Sequence, residues 1–252
     1  MAKTRPALPA ITKIFGARKL HLNFKWVVAA QSILALILLF IPISARAGDI
    51  IGTVKAQGKS EVEEDVAEGK YTSHKYKFLE RINYDQLHDF VVYVDQEIPG
   101  VHPPTKPVQV IIQKDGVFTP HILPIMMGTI VEWPNHDEIY HNVFSMSEIK
   151  PFDLGLYKNN EVKRVTFDKP GRVDVFCSIH TKMSCIVLVL KNPYFASTDK
   201  NGNYKISNVP AGTYKLKAWQ ERLPGQEKDV TVPETGSITL DFLLTIAGLP
   251  KY

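Results

Sequence analysis

Along much of the chain hydrophobic and polar positions alternate with a period of two, the mark of half-buried β-strands. From residue 108 onward the segments "VQVIIQ", "GTIVEW", "HNVFSM", "VKRVTF", "GRVDVFC" and "CIVLVLK" are short, β-branched or aromatic, and separated by turn residues. Strands at this spacing predict an all-β sandwich or barrel. Upstream, Asp89 to Val94 reads as one buried strand, and "IPGVHPPTKP" as a proline-rich turn or linker. The stretch "GTVKAQGKSEVEEDVAEGKY" is too charged for a core and predicts a strand edge followed by a loop. Downstream, Asn201-Gly202 predicts a hairpin and Pro210-Ala211-Gly212 a second turn, with Tyr214, Leu216 and Ala218 sharing one strand face.

The first 47 residues are a different material. They hold Lys3, Arg5, Lys13, Arg18, Lys19, Lys25 and Arg46 and no acid, and Val27 to Ser44 runs uncharged before Ala45-Arg46-Ala47. A basic start, an apolar run and a small-x-small site predict a secretory signal cleaved after Ala47. The apolar run is also long enough to span a bilayer, so an uncleaved anchor is the alternative, and only then would the protein touch a membrane. The leader carries seven of the positive charges, so the formal charge of +4 for 252 residues becomes −3 for residues 48–252. With no basic, aromatic-interleaved surface left, nucleic-acid binding is not expected. The chain reads as an exported, mildly acidic protein of the periplasm.

The candidate chemistry lies in "FCSIHTKMSC". Cys177, His180 and Met183 fall at three-residue intervals: a thiol, an imidazole and a thioether. Val173, Val175 and Cys177 share a strand face, so Cys177 points inward at a strand end. In an oxidising compartment the plain alternative is a Cys177–Cys185 disulfide, with Met183 a core residue and His180 a surface one. A disulfide leaves the His and Met spacing without a reason. One tight loop aiming all three donors at a point gives it one. A trigonal His₂Cys set with a weak axial Met needs a second histidine from another strand, and His141 opens "HNVFSM" 36 residues upstream.

With these residues in place, the chain from about Pro107 to Lys191 resembles a cupredoxin with the short Cys-x₂-His-x₂-Met loop of amicyanin. "GTIVEWPN…HNVFS" and "GRVDVFCSIHTKM" correspond to that family's two ligand segments. The resemblance implies a Greek-key β-sandwich holding one type 1 copper ion at His141, Cys177, His180 and Met183. It also implies that Asn142 ties the two ligand loops together. Beyond it, "DKNGNYKISNVPAGTYKLKAW" resembles a carboxypeptidase-regulatory-like or transthyretin-like β-sandwich module. The expected organisation is thus a leader at 1–47, an N-terminal extension packing on the sheet at 48–106, a copper domain at 107–192 and a small β module at 193–246. The whole exported chain is also similar to methylamine-utilisation-like periplasmic proteins. Cys185 departs from the family pattern and would compete for the metal or oxidise with Cys177.

All four positions of such a site come from protein, and no further histidine cluster appears, so a carrier of single electrons is expected rather than an enzyme. Its partners would be redox proteins, a cytochrome c or a dehydrogenase. A periplasmic copper-binding or delivery module is the alternative, and a structural β protein held by a disulfide is a third. Ile179 beside His180 suggests an apolar docking patch, with Lys182 to steer an acidic partner. His136 with Asp137 reads as a solvated loop and His121 as a structural histidine. Met126 and Met127 read as core, and Trp133 and Phe144 as packing around the site.

Overall fold

The computed structural model describes residues 46–58, 83–84, 87–101 and 107–246. Residues 1–45 of the expected leader and the acidic stretch after Gly58 lie outside them, whereas Ala47 already opens the first strand. The described residues form eighteen strands and no α-helix, and none of their segments is a helix long and apolar enough to cross a membrane. The expected all-β class holds.

One sandwich is built by the strands β3 (Val108–Val110) to β12 (Ser184–Leu190). β3 pairs in parallel with β7 (Thr129–Pro134), which pairs on its other side with β10 (Val162–Phe167). Facing this sheet is a second one of five strands. It runs β6 (Ile122–Met126), β12, β11 (Gly171–Phe176), β8 (His141–Ser145), β9 (Phe152–Tyr157). A short hairpin of β4 (Ile112–Lys114) and β5 (Val117–Thr119) completes it. The core between the sheets gathers Trp133, Val143, Phe167, Val173, Val175, Cys177, Met183, Cys185 and Val187. Inward positions alternate along β11 as the pattern requires: Val173 and Val175 are buried while Arg172 and Phe176 are exposed.

The second sandwich is not confined to the C-terminal residues. β1 (Ala47–Gln57) pairs with β14 (Asn203–Pro210) on one side, and with β17 (Ser237–Thr239) and then β18 (Phe242–Thr245) on the other. β2 (Val91–Val94) lies between β13 (Phe195–Ser197) and β15 (Gly212–Gln220), with β16 (Leu223–Val232) outermost. The segment 48–106 thus supplies a central strand to each sheet of this module. About fifty residues cannot cover two sheets and a core by themselves, and Ile50, Val54, Val92 and Val94 provide the missing apolar faces. β1 is therefore not a strand edge, although its sequence is polar enough to suggest one.

Asn201-Gly202 makes a turn but not a hairpin, because β13 and β14 belong to different sheets. Gly202 has φ +81°, and its carbonyl accepts the Val54 N–H at 2.8 Å. A Cβ there would lie 2.3 Å from the Val54 carbonyl oxygen, so the glycine is needed for close approach to β1 as well as for its backbone conformation. The turn at Pro210-Ala211-Gly212 likewise carries the chain from one sheet to the other. The hairpin of this module is β15–β16, closed at Glu221-Arg222.

The two sandwiches share a seam. Ile122, Ile186, Leu188 and Leu190 on the outer face of the first pack with Val91 and Tyr93 of the second, flanked by Phe195 and Trp219. This explains why β2 and nearly all of β12 are buried on both faces, and why their sequences are continuous apolar runs rather than alternating ones.

Candidate metal centre

The site sits at one end of the first sandwich, where β11 hands over to β12. The backbone N–H of Cys177 donates to the Met183 carbonyl at 3.1 Å, and the Met183 N–H donates to the His180 carbonyl at 2.9 Å. These two bonds close a tight loop that holds Cys177 opposite Met183 and turns His180 back over them. His141 arrives from β8, the strand beside β11, fully buried.

The donor atoms converge. One ligand atom from each of His141, Cys177 and His180 lies within 4.8 Å of the others. Nδ1 of His141 is 3.0 Å from Nδ1 of His180, and the latter is 3.7 Å from Cys177 Sγ. Ligands about 2.0–2.3 Å from one ion lie roughly 3.3–3.8 Å apart, so the His180–Cys177 spacing suits a shared metal, the two imidazoles stand a few tenths of an ångström closer than that, and the set as a whole, spanning up to 4.8 Å, would have to draw in around an ion. Met183 is buried in the same core cluster as Cys177. The donor set therefore fits a soft, thiolate-accepting metal.

Surrounding groups orient these donors. Nε2 of His141 lies 2.7 Å from Oδ2 of Asp137. A carboxylate only accepts, so the proton sits on Nε2 and the Nδ1 lone pair is left facing His180 and Cys177. Burial pushes the Asp137 carboxyl up, but the bond from His141 and the backbone N–H groups of Gly116 and Asp115 hold it below the usual carboxylate range. Those two N–H groups, at 3.0 and 2.8 Å, come from the tip of the β4–β5 hairpin. Asp137 is thus an orienting residue rather than part of a solvated loop, and only its spacing of four residues before His141 hints at this in the sequence. His136 beside it is exposed.

Asn142 acts through its backbone. Its N–H points at Cys177 Sγ at 3.5 Å, while its side chain donates to Asp153 of β9 at 2.7 Å. The side chain therefore ties β8 to β9 and not one ligand loop to the other. The physical reason is strand alternation: His141 points into the site, so the next side chain points away.

Cys177 and Cys185 are both free. Cys185 is paired in register with Val175, two residues before Cys177. Such diagonal neighbours lie about 7–8 Å apart, beyond the roughly 4.4–6.8 Å that a disulfide spans between Cα atoms. Burial pushes the Cys185 thiol well up, so it stays protonated and is a poor ligand. Trp133 is buried in the core, edge-on to Phe118 at 5.8 Å. Phe144 is not part of the site's packing: it pairs with Phe176, 6.0 Å between ring centroids, on the outer face of the sheet. Met126 is core, and His121 is hydrogen-bonded at both ring nitrogens. Ile179, beside His180 in the chain, and Ile139 and Tyr140, just before His141, are each about half exposed, at 50, 52 and 50%.

The model of a family described as polysaccharide lyase family 4, domain II, matches residues 189–240, which lie beyond the Cys177–Met183 loop, begin in β12 and overlap most of the 193–246 stretch likened to a carboxypeptidase-regulatory-like module. No curated protein sequence matches the chain. Solved structures similar to it are cupredoxins. A mutant amicyanin in its Cu(I) form is 21% identical over 32% of this chain and 81% of its own, with TM-score 0.31. A purple cupredoxin from Nitrosopumilus maritimus is 24% identical over 33% of this chain and 99% of its own, with TM-score 0.30. A copper-containing nitrite reductase from Thermus scotoductus SA-01 is 27% identical over 38% of this chain and 25% of its own, with TM-score 0.33.

Proposed function

We propose that this chain is an exported copper protein that holds one ion at His141, Cys177, His180 and Met183 and carries single electrons between redox proteins. The observation that carries the reading is the convergence of one donor atom each from His141, Cys177 and His180 within 4.8 Å. A thiolate with two imidazoles suits both Cu(I) and Cu(II), so a bound ion would supply one-electron chemistry.

The chain's own residues do the rest. Asp137 fixes the tautomer and ring plane of His141, and the Asn142 N–H stabilises negative charge on Cys177 Sγ. Burial of Cys177 and Met183 keeps water from the donors. The four protein donors leave no open position for a substrate, which supports a carrier over an enzyme. His180 is the donor nearest solvent, and the apolar residues around it suit a small, weak docking contact.

The test is anaerobic redox cycling of the copper-loaded full chain. Reversible uptake and release of one electron per protein, with the metal retained, is expected. Tight Cu(I) binding that is lost on oxidation would overturn electron transfer in favour of copper delivery.

A further inference from the structure

We infer that His121 is a proton-gated latch across the seam between the two sandwiches. Its ring stands just before β6, at the rim of the apolar contact, with an acceptor on either side. Nδ1 lies 3.1 Å from the Ser184 carbonyl oxygen, and Nε2 lies 3.1 Å from Oε2 of Glu221. A carbonyl oxygen and an ionised carboxylate can only accept. A neutral imidazole has one N–H and satisfies one of them, whereas the imidazolium donates to both. Ser184 opens β12 in the first sandwich and Glu221 sits in the β15–β16 turn of the second. Since His121 itself precedes β6 of the first sandwich, only the Glu221 bond crosses the seam. The charged ring makes that bond an ion pair while still holding Ser184, and the neutral ring loses the charge and gives up one of the two bonds.

The surrounding charges favour the closed form. Asp89, paired with His88 at 2.9 Å, adds negative charge from the approach to β2. Arg222 and Arg172 act on Glu221 and help keep it ionised. Arg172 is itself held by Asp174 at 2.7 Å and lies over the Trp219 ring. The hydrogen bond to Glu221 raises the His121 pKa above its ordinary value, against the opposing effect of burial. The same bond holds Glu221 below the usual carboxylate range.

The signs define a window. His121 contributes its full share of seam stability below about pH 6.5 and loses it as pH rises through the raised value. Glu221 contributes fully above about pH 4.3 and loses its share as pH falls through the lowered value. The latch is strongest between these limits and opens toward alkaline pH. It opens where β12 leaves the metal loop, since Ser184 follows Met183, but it rests on the seam geometry whatever the loop binds.

Nitrogen-15 NMR of the imidazoles in the full chain, from about pH 5 to about pH 9, reads the ring directly. Both His121 nitrogens should be protonated below a midpoint lying above about 6.5, and Glu221→Gln should lower that midpoint. Amide exchange at Ile186 and Arg222, corrected for intrinsic rates, should quicken roughly fivefold or more through the same midpoint in the unmodified chain and not in Glu221→Gln. A ring protonated on one nitrogen throughout, or titrating at or below the ordinary value, would overturn the latch. So would a raised midpoint with exchange at both amides indifferent to it.

Discussion

The carboxylate of Asp137 lies 2.7 Å from Nε2 of His141 while two backbone N–H groups of the β4–β5 hairpin hold it from behind. A histidine so fixed would present its Nδ1 to a metal without reorienting. Asp137→Ala should weaken copper binding about 10–100-fold, and Asp137→Asn less, measured by competition with a chelator. Equal affinity in all three proteins would show that His141 needs no orienting partner.

The two cysteines should behave differently. Cys177→Ala removes the buried thiol next to His180 and should abolish any intense visible colour of the copper-loaded protein. Cys185→Ala removes a protonated core thiol one register step away and should leave the colour intact. Alkylation of unfolded, metal-free protein followed by mass measurement should find two free thiols. Equal bleaching by both substitutions would contradict a single thiolate ligand.

The approach of His180 to Cys177 was legible because both lie on one short stretch, where local geometry alone brings them together. His141 was legible because the strand pattern placed it at the start of β8. Asp137 was not, since one of two adjacent acids in a polar loop has no periodic signal, and its partners Asp115 and Gly116 come from a distant hairpin. The places of β1 and β2 were hidden for a similar reason. Alternation shows that a segment is a strand, but not which strand it joins, and here the partners lie more than a hundred residues away. Asn201-Gly202 announced a turn correctly, yet whether a turn joins paired strands depends on which sheet each one enters.

Gly202 tests the role of the N-terminal strand. An added Cβ would meet the Val54 carbonyl at 2.3 Å in a backbone conformation that side chains rarely adopt. Gly202→Ala should cost about 2 kcal/mol or more in denaturant unfolding. A loss under about 0.5 kcal/mol would mean that the contact with β1 is readily relaxed.

Electron exchange should respond to charge beside His180. Lys182 is exposed, three residues after the half-exposed Ile179, where its charge would steer an acidic partner of the proposed carrier. Lys182→Glu should slow exchange with such a partner roughly 3–10-fold at low salt, with the difference fading as salt screens it and the copper spectrum unchanged. Stopped-flow rates that match at every ionic strength would place the docking surface elsewhere.

The measurement that reaches the central claim most directly is a Cu(II) titration of the metal-free full chain followed by visible absorption. A thiolate–copper bond in a His₂Cys set predicts an intense band that grows to one equivalent and stops, and that is absent in Cys177→Ala. A titration that gives no such band, or one that Cys177→Ala reproduces, would contradict copper ligation by this site.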